Sequence, residues 1–132
     1  MKLATKEYEG KMQIYLGLEV EYYPALFERA RAEAIDCGVE YFLLGQHWVG
    51  NEENEPYCGR QTEDETILER YCDQVIEGIN TGWFTYIAHP DLIHFTGDTK
   101  LYREHARTVC RAAKDCGVPL EVNLLGLRED RQ

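Results

Sequence analysis

A chain of 132 residues with 44% hydrophobic composition has enough apolar material for one globular domain with a core, and no room for two. Its formal charge of −10 and pI near 4.8 exclude a nonspecific binder of nucleic acid or anionic membrane, because such proteins need a basic footprint. No apolar run approaches the ~20 residues of a membrane span, and the amino terminus lacks a signal peptide's basic-then-apolar layout, so a soluble, cytoplasmic protein is expected.

After a polar lead from Met1 to Lys11, which carries no clear pattern, the run Gln13-Ile14-Tyr15-Leu16-Gly17-Leu18-Glu19 reads as a first strand continuing to about Tyr22. Pro24 sits where a first helical turn tolerates a missing N–H. Ala25 to Ile35 is rich in helix formers until Gly38 ends it. A second strand runs from Val39 to His47, followed by a long irregular piece, Val49 to Gln61, of the length that lids and binding loops have. Thr62-Glu63-Asp64-Glu65 matches a capping box, and Ile67, Tyr71, Val75 and Ile79 recur at helical spacing, so a second helix extends to about Asn80. The third strand, Trp83-Phe84-Thr85-Tyr86-Ile87-Ala88-His89, is β-branched and aromatic and is stopped by Pro90. A loop through His94 leads to a third helix, Thr99 to Cys116, with Leu101, Val109 and Ala113 inward and Gly117 as its cap. Pro119 to Leu124 reads as a fourth strand.

The order is β-α-β-α-β-α-β. Asp36-Cys37-Gly38-Val39 and Asp115-Cys116-Gly117-Val118 echo one another, as two copies of one helix-cap-strand module. Strands separated by helices pair in parallel, which leaves a doubly wound sheet or part of a (β/α) barrel; the pattern does not choose between them. Five cysteines, an odd number with no Cys-x-x-Cys pair, read as reduced structural thiols.

Three of the apolar runs end in groups that ligate metals: Glu19 on the first, His47 on the second and His89 on the third. The carboxyl ends of parallel strands share one rim, where ligands bind. A carboxylate with two neutral imidazoles is a common set for Zn²⁺, Mn²⁺ or Fe²⁺, and such an ion lowers the pKa of water toward neutrality, so hydrolysis is the natural reaction. Alternation puts Glu21 on the same face as Glu19 and does not separate the two. Arg128, just past the fourth strand, has the planar geometry for a phosphate, with an ordinary surface role as the alternative. A structural role is assigned to His94, to His105 inside its helix, and to Trp48 and Tyr86 as packing groups. Asp91 is read as able to cap the turn after His89.

The segments Gly17-Leu18-Glu19-Val20-Glu21-Tyr22, Gly45-Gln46-His47-Trp48, Ala88-His89-Pro90-Asp91-Leu92-Ile93 and Glu121-Val122-Asn123-Leu124-Leu125-Gly126-Leu127-Arg128 resemble, in order, motifs of the polymerase and histidinol phosphatase (PHP) family, nearest its histidinol-phosphatase branch. The resemblance implies a distorted (β/α)7 barrel, TIM-like, that holds divalent ions at the carboxyl ends of its strands and hydrolyses phosphoesters. It implies that Glu19 bridges two metals, that His47 and His89 complete one site, and that Arg128, with Asn123 nearby, grips the substrate phosphate. The implied reaction converts L-histidinol phosphate and water to L-histidinol and phosphate, a late step of histidine biosynthesis. The chain departs from the family in having neither the opening His-x-His nor the closing Asp-x-His motif, since no histidine precedes His47 or follows His105. It is therefore expected to be a single PHP-type domain, residues 1–132, incomplete at both ends, and to hide its open strand edges in a homo-oligomer. The alternative is a noncatalytic module that keeps metal or phosphate binding, like PHP domains attached to some DNA polymerases. A polymerase-associated exonuclease is disfavoured because the acidic surface offers no track for a nucleic-acid backbone.

Overall fold

The computed structural model describes residues 2–124 and 128. Along the chain the elements are α1 (Lys2–Glu7), β1 (Gly17–Val20), α2 (Phe27–Asp36), β2 (Tyr41–Leu44), α3 (Glu65–Asn80), β3 (Phe84–Ile87) and α4 (Thr99–Cys116). The strands form one parallel sheet in the order β1-β2-β3, the α/β architecture of a partial TIM-like barrel. Each strand is shorter than its apolar run, because only the central four residues find ladder partners. Gly17 to Val20 pair with Tyr41 to Leu44, and Phe42, Leu43 and Leu44 pair with Phe84, Tyr86 and Ile87 across a bulge.

That bulge decides which side chains face the helices. It lets Phe84 and Ile87, three positions apart, both turn toward the layer that contains Phe42 and Leu44. There they meet Leu68, Tyr71, Val75 and Ile79 of α3 and Val109 and Ala113 of α4. Phe27 at the start of α2 closes the core, its ring 5.3 Å from Phe84 and 5.4 Å from Tyr22. Glu19, Leu43 and Tyr86 run in register across the other face of the sheet.

Helix ends follow local chemistry more closely than pattern does. Expected from Ala25, α2 begins at Phe27, because Tyr23 O takes the N–H groups of both Leu26 and Phe27 and keeps 24–26 in a turn. The expected capping box at Thr62 is corrected by the structure. Asp64 is the N-cap, its Oδ1 accepting from Thr66 N at 2.9 Å, and Thr62 instead accepts from Asp64 N. The two echoed modules do end alike. Val39 N donates to Ala34 O and Val118 N to Ala113 O, across Gly38 and Gly117 with φ of 93° and 69°, the left-handed geometry that glycine enters freely.

The fourth strand is realised as a single parallel bridge of Leu120 to Ile87, flanked by Ile87 N to Pro119 O and Glu121 N to Ile87 O. Beyond it Val122 and Leu124 are exposed, so no packing holds the extended pairing that their alternation predicts. The stretch 125–127 before Arg128 lies outside the described residues. The polar lead, for which no element was expected, forms the short α1. Among the described residues no helix is long and apolar enough to cross a membrane, and all five cysteines are free.

Candidate metal centre

Each of the three rim groups arrives by a different route. Glu19 is on β1 itself, and its side chain passes over Gly45, at the end of β2, so closely that a Cβ there would collide with the carboxylate. His47 lies beyond β2 on a segment bound at both ends. Gly45 N donates to Val20 O on one side and Cys58 N to His47 O at 2.7 Å on the other. His89 follows β3 with φ of 85°, the one non-glycine residue described with a left-handed backbone, a strained conformation that concentrates at functional sites.

These routes converge. One ligand atom from each of Glu19, His47 and His89 lies within 4.8 Å of the others. Glu19 Oε1 is 3.0 Å from His89 Nε2 and 4.0 Å from His47 Nε2, and the two rings meet edge to face at 4.7 Å between centroids. A divalent ion with bonds of ~2.0–2.2 Å needs donors ~3–4 Å apart; the two Glu19 pairs have that spacing, and the group as a whole, within 4.8 Å, could hold one with a small inward shift of the rings. Its chemistry fits too: one anionic oxygen, two nitrogens, and open coordination positions toward solvent on the Glu19 side, which is 43% exposed.

Around the triad is a tight hydrogen-bonded shell that the sequence pattern did not expose. Glu21 Oε2 accepts from Tyr23 Oη at 2.7 Å, from Trp48 N at 3.0 Å, from His47 N at 3.1 Å and from Gln46 Nε2 at 3.3 Å. Gln46 is buried. It accepts from Tyr22 N and donates to Trp48 O, tying the end of β1 to the end of β2. Burial, and then the bond to Glu21, push the Tyr23 phenol far above its ordinary value, so it remains a donor. Geometry separates the two carboxylates that alternation did not: Glu19 is in the three-residue group and Glu21 is not. A glycine inside an otherwise apolar strand end was the legible sign of the close approach at Gly45.

Beside the triad is a cleft of about 400 Å³ lined by Glu19, Glu21, Tyr23, Leu26, His47 and Glu52. Part of the long 49–61 loop therefore borders the site, while Val49 and Cys58 from the same loop are core residues. Asn123 is half-buried, three residues past the Leu120 bridge, and Arg128 is exposed. His94 works through its backbone, donating to Cys58 O and accepting from Thr62 N, and His105 is half-buried in α4. Trp48 packs against Tyr57 at 5.5 Å. Asp91 lines a separate, mostly apolar cavity with Cys72, Tyr102 and Val109.

No family model matches the chain, and no curated protein matches it by sequence. Its fold is similar to a solved structure of histidinol phosphate phosphatase from Lactococcus lactis subsp. lactis Il1403, complexed with zinc, L-histidinol and phosphate. The TM-score is 0.66 at 16% sequence identity, over 92% of this chain and 50% of that one. The chain thus spans about half the length of that solved protein. At this identity the likeness is one of fold.

Proposed function

We propose that this chain is a metal-dependent phosphoester hydrolase of the histidinol-phosphatase type, acting on L-histidinol phosphate in histidine biosynthesis in the cytoplasm. The observation that carries this reading is the meeting of Glu19, His47 and His89, from three separate strand ends, within 4.8 Å. The half-barrel likeness to a phosphatase solved with zinc, histidinol and phosphate supports it.

In this reading Glu19, His47 and His89 would hold a divalent ion, Zn, Mn or Fe. A bound ion there supplies the Lewis acidity that makes water a nucleophile at neutral pH and offsets charge on the phosphoryl oxygens. The chain's own residues do the rest. Before an ion is bound, Glu19 keeps the His89 ring in place through the 3.0 Å contact to Nε2, and Gly45 leaves the room that this carboxylate occupies. The adjoining cleft, about 400 Å³, admits a small phosphomonoester. Asn123 and Arg128 are proposed to hold its phosphate. Water provides the new oxygen on phosphorus, the P–O ester bond breaks and the alcohol leaves with a proton.

The test is phosphate release from L-histidinol phosphate by the purified chain supplied in turn with Zn²⁺, Mn²⁺ and Fe²⁺. Release is expected in wild type and its loss in His89→Ala; wild-type protein that is inert with every ion overturns the enzymatic reading. A second reading is a noncatalytic module that binds metal or phosphate, favoured by the presence of a single three-donor group among the described residues. It predicts calorimetric binding of zinc without turnover. We also propose that the chain self-associates. The outer edge of β1 has no strand partner among the described residues, and Tyr15, Leu18 and Tyr41 beside it are exposed. A stable monomer in light scattering at micromolar concentration would count against that.

A further inference from the structure

Glu21 sits beside the centre without joining it, and its surroundings give it a distinct task. Its side chain is 14% exposed. One oxygen, Oε2, is committed to the donors on Tyr23, Gln46, His47 and Trp48. The other, Oε1, stands 3.4 Å from Nδ1 of the His47 ring, a separation that a small rotation of the ring shortens to a hydrogen bond. The backbone N–H of His47 is bound to the same carboxylate, which keeps the two residues side by side.

We propose that Glu21 is a positioning residue: its Oε1 holds the hydrogen on His47 Nδ1, so that Nε2 presents its lone pair toward Glu19 and His89. A neutral imidazole has one N–H and one acceptor nitrogen, and the partner of the first decides which nitrogen is the second. The group opposite Nδ1 among the described residues is the Glu21 carboxylate oxygen, which accepts and cannot donate, and Nε2 is the nitrogen that faces Glu19. Strand alternation hides this role. By pattern Glu21 duplicates Glu19, but β1 ends at Val20, and Glu21 turns off the pleat toward the β2 end. The consequence for metal affinity rests on the metal-centre reading; the ring orientation does not.

Two measurements on the full chain test the assignment. In metal-free protein, long-range proton–nitrogen correlation spectra should show His47 with its hydrogen on Nδ1. The variant Glu21→Gln keeps the shape but can turn an amide donor toward Nδ1, which moves the ring hydrogen to Nε2; calorimetric zinc affinity should then drop roughly 10- to 100-fold, the usual cost of losing an outer partner of a ligating histidine. Wild-type His47 carrying its hydrogen on Nε2 overturns the proposal, and so does a folded Glu21→Gln chain with unchanged tautomer and affinity. If that variant does not fold, the wild-type spectrum still decides. Wild-type protein that shows the Nδ1–H ring yet binds no zinc supports the positioning role and removes the metal centre instead.

Discussion

The two histidine arms of the candidate centre are immobilised by opposite means. The His47 arm is held by hydrogen bonds. Its backbone N–H and carbonyl are both used, its neighbours Gln46 and Trp48 are tied to Glu21, and its ring faces a carboxylate. The His89 arm has less of this. Its carbonyl accepts from Leu92 N, but among the described residues its buried Nδ1 has no hydrogen-bond partner, and the ring is aimed by a left-handed backbone together with the Glu19 contact at Nε2. One arm is positioned by satisfied polar groups, the other by stored backbone strain, which costs on the order of 1–3 kcal/mol. The contrast teaches that Glu19, touching both rings, is where the two arms are coupled.

The strongest way to break that coupling is Gly45→Ala. The added methyl falls where the Glu19 carboxylate lies, so both arms lose their common contact. Zinc affinity should fall by more than the ~100-fold that loss of an outer partner costs, while overpacking costs about 1–3 kcal/mol of stability. Calorimetry alongside urea unfolding checks both, and unchanged affinity would show that Glu19 can swing aside freely.

A smaller effect isolates the strain in the His89 arm. Both His89→Gly and His89→Ala remove the ring, but only glycine accepts φ of 85° without penalty. The glycine variant should be the more stable of the two by about 1 kcal/mol in chemical unfolding. Equal stabilities would mean that the backbone relaxes and that strain does not aim this ring.

The last expected effect is read against pH and concerns the buried thiol of Cys58, whose backbone anchors the His47 arm. Burial, and next the charge of Glu21, push Cys58 up to about 12, and burial does the same for Cys72. From the ordinary value of 9.0 up to about 12 the unfolded chain gives up these protons before the folded one does. Stability from this source is therefore complete below pH 9.0 and is lost as pH rises toward 12. Thermal midpoints should decline across that window, less steeply in Cys58→Ala. At neutral pH a thiol reagent should modify Cys37, Cys110 and Cys116, which are exposed, and spare Cys58 and Cys72 until the protein unfolds.

Much of this centre was legible in the chain because parallel strands end on one side of their sheet. Three apolar runs closing on Glu19, His47 and His89 therefore meet whatever the details of the helices between them. The helix over Thr99 to Cys116, bounded by Asp98 and Gly117, was equally plain, since cap and periodicity agree. What pattern did not resolve depends on tertiary competition. Thr62 matched a capping box, yet Thr62 is drawn into a bridge with Phe95, and the cap falls to Asp64. Residues 119–124 read as a strand, yet the apolar Val122 and Leu124 are exposed. Glu21 could not be told from Glu19 by spacing, because its partners come from residues 46 to 48, far along the chain.

The bonding of Cys58 has one more implication. Its N–H holds the carbonyl of His47, and its own carbonyl takes the N–H of His94, so a single residue works as a cross-tie between the lips of the two arms. Because only main-chain atoms make the tie, the gap between the lips is gauged before any cargo arrives. The side chain at that position is itself buried in the core, so packing and main-chain tie fix the same residue.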